Sequence, residues 1–506
     1  MERLDDIIEQ VLVSEPESRC FWWEGSWYDG AFLKGLIEKT ITALAASGFS
    51  KGDRLAVLMP NCPMILSLAV AVWRLGGALC PLNVKSGAPS LISTLSLLSP
   101  FTVAISEDMK SEIIAALDEN GHSIAMCPSL APPEFFRGKS IEIPESDESL
   151  AVIFSTSGTT GAPKAVPLTH ENLISDCRAS MKCLKALARG DVFLNVLPNF
   201  HAFGLMAGTL LPFFVRAVQV IVPNFMPPQK TLSAISEAEV NVVILVPTML
   251  VFLLSLLERM GKKLSGIKLV VTGGDRYDSN LDAKVAAHMG VGVLEGYGIT
   301  ECSPVLSINP SYDRRRLGTT GHILDGFAFQ LRGEDGAILT ENVDGEGVLW
   351  VRGASVTKGY FRHVESDNAR FDDGWFNTGD YVKIEDGFIR VIDRVTDIII
   401  VGGFNVYPQE VEAILLTHHG VRAAVVVGIK SHVSGEIPKA FIIKNKLANV
   451  SEQDIIRFCK ENLSHYKVPR KVEFVDSFPI SATGKVLRRK LRDGGIDFYS
   501  QQNGGF

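Results

Sequence analysis

The chain has 506 residues, 46% of them hydrophobic and 21% charged. That is too long for one hydrophobic core and too apolar for a disordered polymer, so more than one folded domain is expected. The formal net charge of −7 argues against nucleic acid as a bulk partner, and eight cysteines without a C-x-x-C pair read as reduced, mostly buried thiols of a cytoplasmic protein.

The opening Met1-Glu2-Arg3-Leu4-Asp5-Asp6 has no apolar core and does not read as a signal peptide. Residues 54–59 (RLAVLM) predict a strand, and 64–75 an apolar helix closed by Gly76-Gly77. Short strands are expected at 192–196 and 219–222. The longest apolar run, 242–257, is interrupted by Pro247, Thr248 and Ser255. It predicts a buried strand (242–246), a proline turn and a buried helix, not a transmembrane segment. This alternation implies an α/β fold of layered subdomains with largely parallel sheets. Beyond Gly333, dense glycine and aspartate with short β runs, such as 345–351 and 387–392, predict a small antiparallel or barrel-like section. From Arg394 onward come a strand (398–401), a helix (408–416), a strand (423–427), a helix (452–462) and a basic tail. A boundary near Thr396 divides the chain into a large N-terminal domain, 1–395, and a small C-terminal α+β domain, 396–506. No repeat of 20–50 residues is visible.

The strongest local signal follows the apolar run 150–154. It reads Phe154-Ser155-Thr156-Ser157-Gly158-Thr159-Thr160-Gly161-Ala162-Pro163-Lys164. Hydroxyls and backbone N–H groups around glycines can wrap a polyphosphate, and Lys164 adds positive charge. It is not a Walker A loop, because Gly158 and Gly161 are only three apart and Ala165 follows the lysine. The stretch Gly290-Val291-Gly292-Val293-Leu294-Glu295-Gly296 misses the dinucleotide fingerprint by one residue.

The loop at 154–164 resembles the phosphate loop of the adenylate-forming superfamily, which comprises acyl-CoA synthetases, peptide-synthetase adenylation domains and firefly-type luciferases. The likeness continues in the family's order over most of the chain and is nearest to bacterial fatty-acyl ligases, including those that charge acyl carrier protein. It implies that Thr156 to Gly161 and Lys164 hold ATP. Asn199-Phe200-His201-Ala202-Phe203-Gly204 is similar to the segment beside the acyl pocket, with His201 flanking the reacting carboxylate. Gly273-Gly274-Asp275 resembles the adenine-facing turn, although many relatives carry a small residue where Asp275 stands. Tyr297-Gly298-Ile299-Thr300-Glu301 looks like the aromatic-Gly-x-Thr-Glu motif. There Tyr297 would stack on adenine, Thr300 would contact phosphate, and Glu301, with Thr156, would hold Mg²⁺. The residue types suit this, since a purine needs an aromatic face and nucleotide-bound Mg²⁺ takes one or two carboxylates beside phosphate oxygens. Thr378-Gly379-Asp380 resembles the ribose turn, and Arg394 of Asp393-Arg394 adds a ribose or phosphate contact. The segment 402–410 resembles the lining of a pantetheine tunnel, with Gly403 allowing close approach of the thiol arm. Pro479-Ile480-Ser481-Ala482-Thr483-Gly484-Lys485 resembles the loop that carries the adenylation lysine, Lys485. The family usually has Asp or Lys at its hinge, where this chain has Thr396.

The resemblance therefore implies a two-step ligase. A carboxylate attacks the α-phosphate of ATP, pyrophosphate leaves, and the acyl-adenylate passes to coenzyme A or to the phosphopantetheine of a carrier protein. The C-terminal domain is expected to be mobile, swinging about Thr396 between the steps. No acid lies between Asp191 and Glu237, so a substrate with a free α-amine would lack a partner. Phe203, Leu205 and Val246 suggest an apolar tail, which a fatty acid or an aryl acid would supply. The family leaves room for a homodimer.

Overall fold

The computed structural model describes residues 2–136, 149–156, 164–333, 336–362, 370–402, 404–431, 435–445, 448–480 and 486–493. The chain divides into two compact units. One comprises Met1–Phe329, Trp350–Phe376 and Asp386–Ile389; the other comprises Gln330–Leu349, Asn377–Glu385 and Arg390–Phe506. The architecture is the layered α/β arrangement with a small C-terminal α+β part that the sequence predicts.

The first unit holds two sheets. The six-stranded one runs in the order Ile124–Cys127, Thr102–Ser106, Arg54–Leu58, Ala78–Pro81, Leu150–Thr156, Lys164–Thr169. All its pairs are parallel except the last, a hairpin of Leu150–Thr156 with Lys164–Thr169. Its strands are near-continuous apolar runs because both faces are covered. Helix Pro63–Arg74 is buried along its length as far as Trp73, which explains its lack of a polar stripe. The one polar atom of the Trp73 side chain is satisfied, since Nε1 donates to Ala151 O at 2.7 Å.

The nine-stranded sheet runs His322–Ile323, Val305–Ile308, Leu294–Gly298, Leu269–Thr272, Val242–Leu245, Val192–Asn195, Val218–Ile221, Arg19–Trp23, Ser26–Asp29. Its middle is parallel and its edges are antiparallel. The apolar run 242–257 resolves into strand Val242–Leu245 and helix Pro247–Met260, with Pro247 in the first turn, where no N–H is needed. Among the described residues no helix is long and apolar enough to cross a membrane. One core cluster includes Trp73, Phe154, Phe193, Leu205 and Met206 and so draws on both sheets.

The region after Gly333 is antiparallel where Phe327–Arg332 pairs with Ile338–Glu341 and Phe371–Asp372 with Trp375–Glu385. In the second unit, helices Pro408–Leu416 and Glu452–Asn462 match the predicted spans. Ser451 caps the second helix through a reciprocal pair with Asp454. The strand predicted at 423–427 is longer, Val421–Ser431, and pairs over its length with Gly435–Lys444. That second strand escaped the sequence reading because Pro438 breaks its pattern. All eight cysteines are free thiols, six buried and two half-buried.

Candidate active site

Within the first unit, several of the predicted motifs gather for one topological reason. Strands Leu294–Gly298, Leu269–Thr272, Val242–Leu245 and Val192–Asn195 are successive neighbours in the sheet and mutually parallel. Their carboxyl ends lead into Thr300 and Glu301, Gly274 and Asp275, Val246, and the loop of His201. In open α/β sheets this end of the strands forms the ligand crevice.

Side chains bear out the convergence. A Cβ on Gly274 would lie 3.5 Å from Val246 Cγ1 and 3.9 Å from Phe203 Cδ1, and Gly274 has φ +84°. The turn therefore brings backbone against the two apolar residues expected beside the acyl group, in a conformation that favours glycine. Asp275 is exposed, and its carboxylate accepts from the Arg276 N–H at 2.8 Å. Gly298 is held more tightly: a Cβ there would sit 2.0 Å from Pro304 O. Tyr297, Gly298, Thr300 and Glu301 are all half-buried, accessible enough to meet a ligand.

His201 precedes the short helix Ala202–Gly204 and a π-helical turn, Leu205–Leu210; such turns recur at functional sites. A buried polar cluster braces this loop. Asn195 Nδ2 donates to Gln219 Oε1 at 3.0 Å and Thr209 Oγ1 at 3.2 Å, and Asn61 Oδ1 accepts from the Asn199 N–H at 2.9 Å. The Asn199 amide, oriented to satisfy its neighbours, donates to Gly204 O at 3.2 Å and accepts from Thr209 Oγ1 at 3.0 Å.

The predicted phosphate loop falls between the two strands of the hairpin, whose register pairs Thr156 with Lys164. Ser157, Gly158, Thr159, Thr160 and Gly161 lie outside the described residues. After the hairpin, Thr169 opens helix His170–Cys183 with a capping box, exchanging bonds with Asn172. Asn172 Nδ2 also donates to Ala354 O and Val356 O. That second contact starts a strut. Thr357 N–H donates to Glu301 O at 2.9 Å, Thr357 Oγ1 donates to Pro167 O at 2.7 Å, and Phe361 N–H donates to Ala165 O at 2.8 Å. Tyr360 O–H donates to Glu301 Oε1 at 2.7 Å, and Lys164 Nζ lies 5.1 Å from the Tyr360 ring centre. Burial, then the negative Glu301 carboxylate, hold the Tyr360 hydroxyl above the ordinary tyrosine range. Tyr360 and the Asn195 cluster were missed from sequence. Tyr360 lies 59 residues from Glu301 with no periodic or motif signal between them.

In the second unit, buried Asp380 pairs with Arg394, Oδ1 to Nε at 2.9 Å. Thr378 Oγ1 accepts the Asp380 N–H and donates to Leu349 O. Next to Arg394, burial pushes Asp393 up to about 6. The Thr396 carbonyl accepts from Arg492. Gly403 and Lys485 lie outside the described residues, but Ile480 and Val486, on either side of the lysine loop, pair as an antiparallel bridge. Arg488 then anchors the tail, bonding both oxygens of Glu412 at 2.5 and 2.8 Å.

Among the described residues no group of three or more His, Cys, Asp or Glu could cage a metal. A single carboxylate such as Glu301 suits a cation whose remaining oxygens come from nucleotide and water, which is how Mg²⁺ is usually held.

Comparison with known proteins gives the same outline. Residues 8–361 match the AMP-binding enzyme family and 410–485 the AMP-binding enzyme C-terminal domain. The chain is 31% identical to a long-chain-fatty-acid–CoA ligase of Bacillus subtilis, over 90% of this chain and 87% of the relative. It is also 31% identical to a feruloyl-CoA synthase of Amycolatopsis, over 91% and 93%. The ATP-bound structure of MatB from Rhodopseudomonas palustris superposes with a TM-score of 0.86 at 27% identity, covering 98% of this chain and all of that one.

Proposed function

Because the chain belongs to the AMP-binding enzyme family and is an ATP-dependent acyl- or aryl-CoA ligase, we propose that it activates a fatty acid as its adenylate and transfers the acyl group to the thiol of coenzyme A or of a carrier protein. The observation that carries this is the convergence of Gly274, Val246, Phe203 and the 297–301 motif at the carboxyl ends of adjacent parallel strands.

In the first step a carboxylate oxygen of the acid attacks the α-phosphorus, the bond to the β-phosphate bridging oxygen breaks, and pyrophosphate leaves. Such a step depends on positioning and charge stabilisation. Tyr297 presents a ring to adenine, Thr300 bonds phosphate, and the 156–164 segment and Lys485 offset the developing charge. Glu301, with Thr156, would hold Mg²⁺, whose charge adds to that stabilisation. His201 flanks the carboxylate. Asp380 accepts from the ribose hydroxyls, and Arg394 adds a ribose or phosphate contact. In the second step a thiolate attacks the acyl carbon and AMP departs with the anhydride oxygen. The proposed functional domains are 1–395 and 396–506, with Thr396 as pivot. Gly403 serves the thiol in the second step as Lys485 serves the first.

A fatty acid is favoured by the apolar surroundings of Gly274 and by the absence of any acid between Asp191 and Glu237. An aryl acid is the second reading, favoured by the likeness to a feruloyl-CoA synthase. The test is pyrophosphate release with ATP, Mg²⁺ and a panel of fatty, aryl and amino acids, with coenzyme A or carrier protein as acceptor. Release with medium or long fatty acids supports the proposal. Release with aryl acids alone selects the second reading, and release with amino acids alone overturns both.

A further inference from the structure

We infer that Tyr360 is a positioning residue for adenylation, whose hydroxyl orients the Glu301 carboxylate towards the magnesium nucleotide. The inference rests on the reading of Glu301 as the metal carboxylate. Tyr360 is only 6% exposed, so its hydroxyl needs an acceptor inside the protein, and it donates to Glu301 Oε1 at 2.7 Å. A hydrogen bond to a carboxylate is directional and stronger than a neutral one. It engages one oxygen of Glu301 and orients the other.

Two observations separate this from a merely satisfied buried phenol. First, a cation attends the ring: Lys164 Nζ lies 5.1 Å from its centre. A cation over the face draws on the ring's electrons and sharpens the hydroxyl as a donor. Second, the backbone around Tyr360 is fixed to both partners. Thr357 bonds Glu301 O and Pro167 O, and Phe361 bonds Ala165 O beside Lys164. Residues 357–361 thus tie the strand that leaves the phosphate loop to the turn bearing Glu301, and Tyr360 is the side chain that completes the tie at the carboxylate.

The experiment is titration calorimetry of ATP into the full-length protein, once with MgCl₂ and once with EDTA, for wild type, Tyr360→Phe, Glu301→Gln and the double variant. Phenylalanine keeps the ring and its packing, and a melting curve checks the fold. The expected result is that Tyr360→Phe loses about tenfold or more of the Mg²⁺-dependent gain in affinity, the usual weight of a hydrogen bond to a charged group. Affinity in EDTA should stay within about twofold, and the double variant should match Glu301→Gln alone, as for residues acting through one another. Tyr360→Phe with the full Mg²⁺ gain, with equal loss in both buffers, or with a loss that adds to that of Glu301→Gln would overturn the role of Tyr360. A Glu301→Gln variant that keeps the Mg²⁺ gain would instead overturn the metal reading of Glu301.

Discussion

At the residue scale, the site tests sharply at Tyr297 and Glu295. If Tyr297 stacks on adenine, Tyr297→Ala should forfeit about 1–2 kcal/mol and raise the KM for ATP about 5–30-fold, with little change in the KM for the acid. Steady-state kinetics in both substrates checks this, and an unaltered KM for ATP removes the contact. Glu295, two residues earlier, is buried and accepts from the Gly318 N–H at 3.0 Å. Burial pushes its carboxyl up to about 7. Between its unfolded value and about 7 the folded state therefore binds the proton more tightly, so stability falls as pH rises through that window and then levels off. Glu295→Gln, neutral throughout, should melt higher than wild type at pH 8 and lose that advantage at pH 5. Melting curves with the same pH dependence in both proteins would contradict the shift. The contiguous motifs containing Tyr297, Glu301 and Lys164 were legible because chemistry and spacing sit together in the chain. Tyr360 was not, because its meaning comes from a contact 59 residues away.

At the scale of elements, periodicity served where one face is buried. Helices Pro408–Leu416 and Glu452–Asn462 fell where their patterns put them. It failed at Gly435–Lys444, where Pro438 interrupts a strand that its partner Val421–Ser431 holds in register nonetheless. It also gave no hint of the π-helical turn Leu205–Leu210, whose sequence LMAGTL is unremarkable. That turn depends on what lies beneath it. Asn195→Leu would leave the buried Gln219 and Thr209 short of a partner, at about 1–3 kcal/mol for each. The melting temperature should fall by several degrees, and acid selectivity should loosen as the His201 loop relaxes. Unchanged melting and selectivity would show that the cluster does not brace the loop.

At the scale of the whole molecule, the proposal makes one unit's residues serve different half-reactions. Lys485→Ala should cripple pyrophosphate release yet spare thioester formation from supplied acyl-adenylate. Gly403→Leu should do the reverse. Measuring both half-reactions on both variants checks the division, and equal losses in the two steps for either variant would defeat it. A linear reading finds such residues in order but has no means of assigning Gln330–Leu349 and Asn377–Glu385 to the later unit. That assignment is a property of packing between segments distant in the chain.

The free thiols, buried or half-buried, have a chemical consequence for such an enzyme. An acyl-adenylate is an electrophile that acylates whichever thiolate reaches it, and the thiolate, not the thiol, is the nucleophile. Burial pushes Cys20 and Cys80 up to about 12, and Cys62, Cys183 and Cys459 up to about 11. At neutral pH these sulfurs stay protonated and poorly reactive. Thiols held in that state would compete poorly with an added thiolate for an acyl-adenylate.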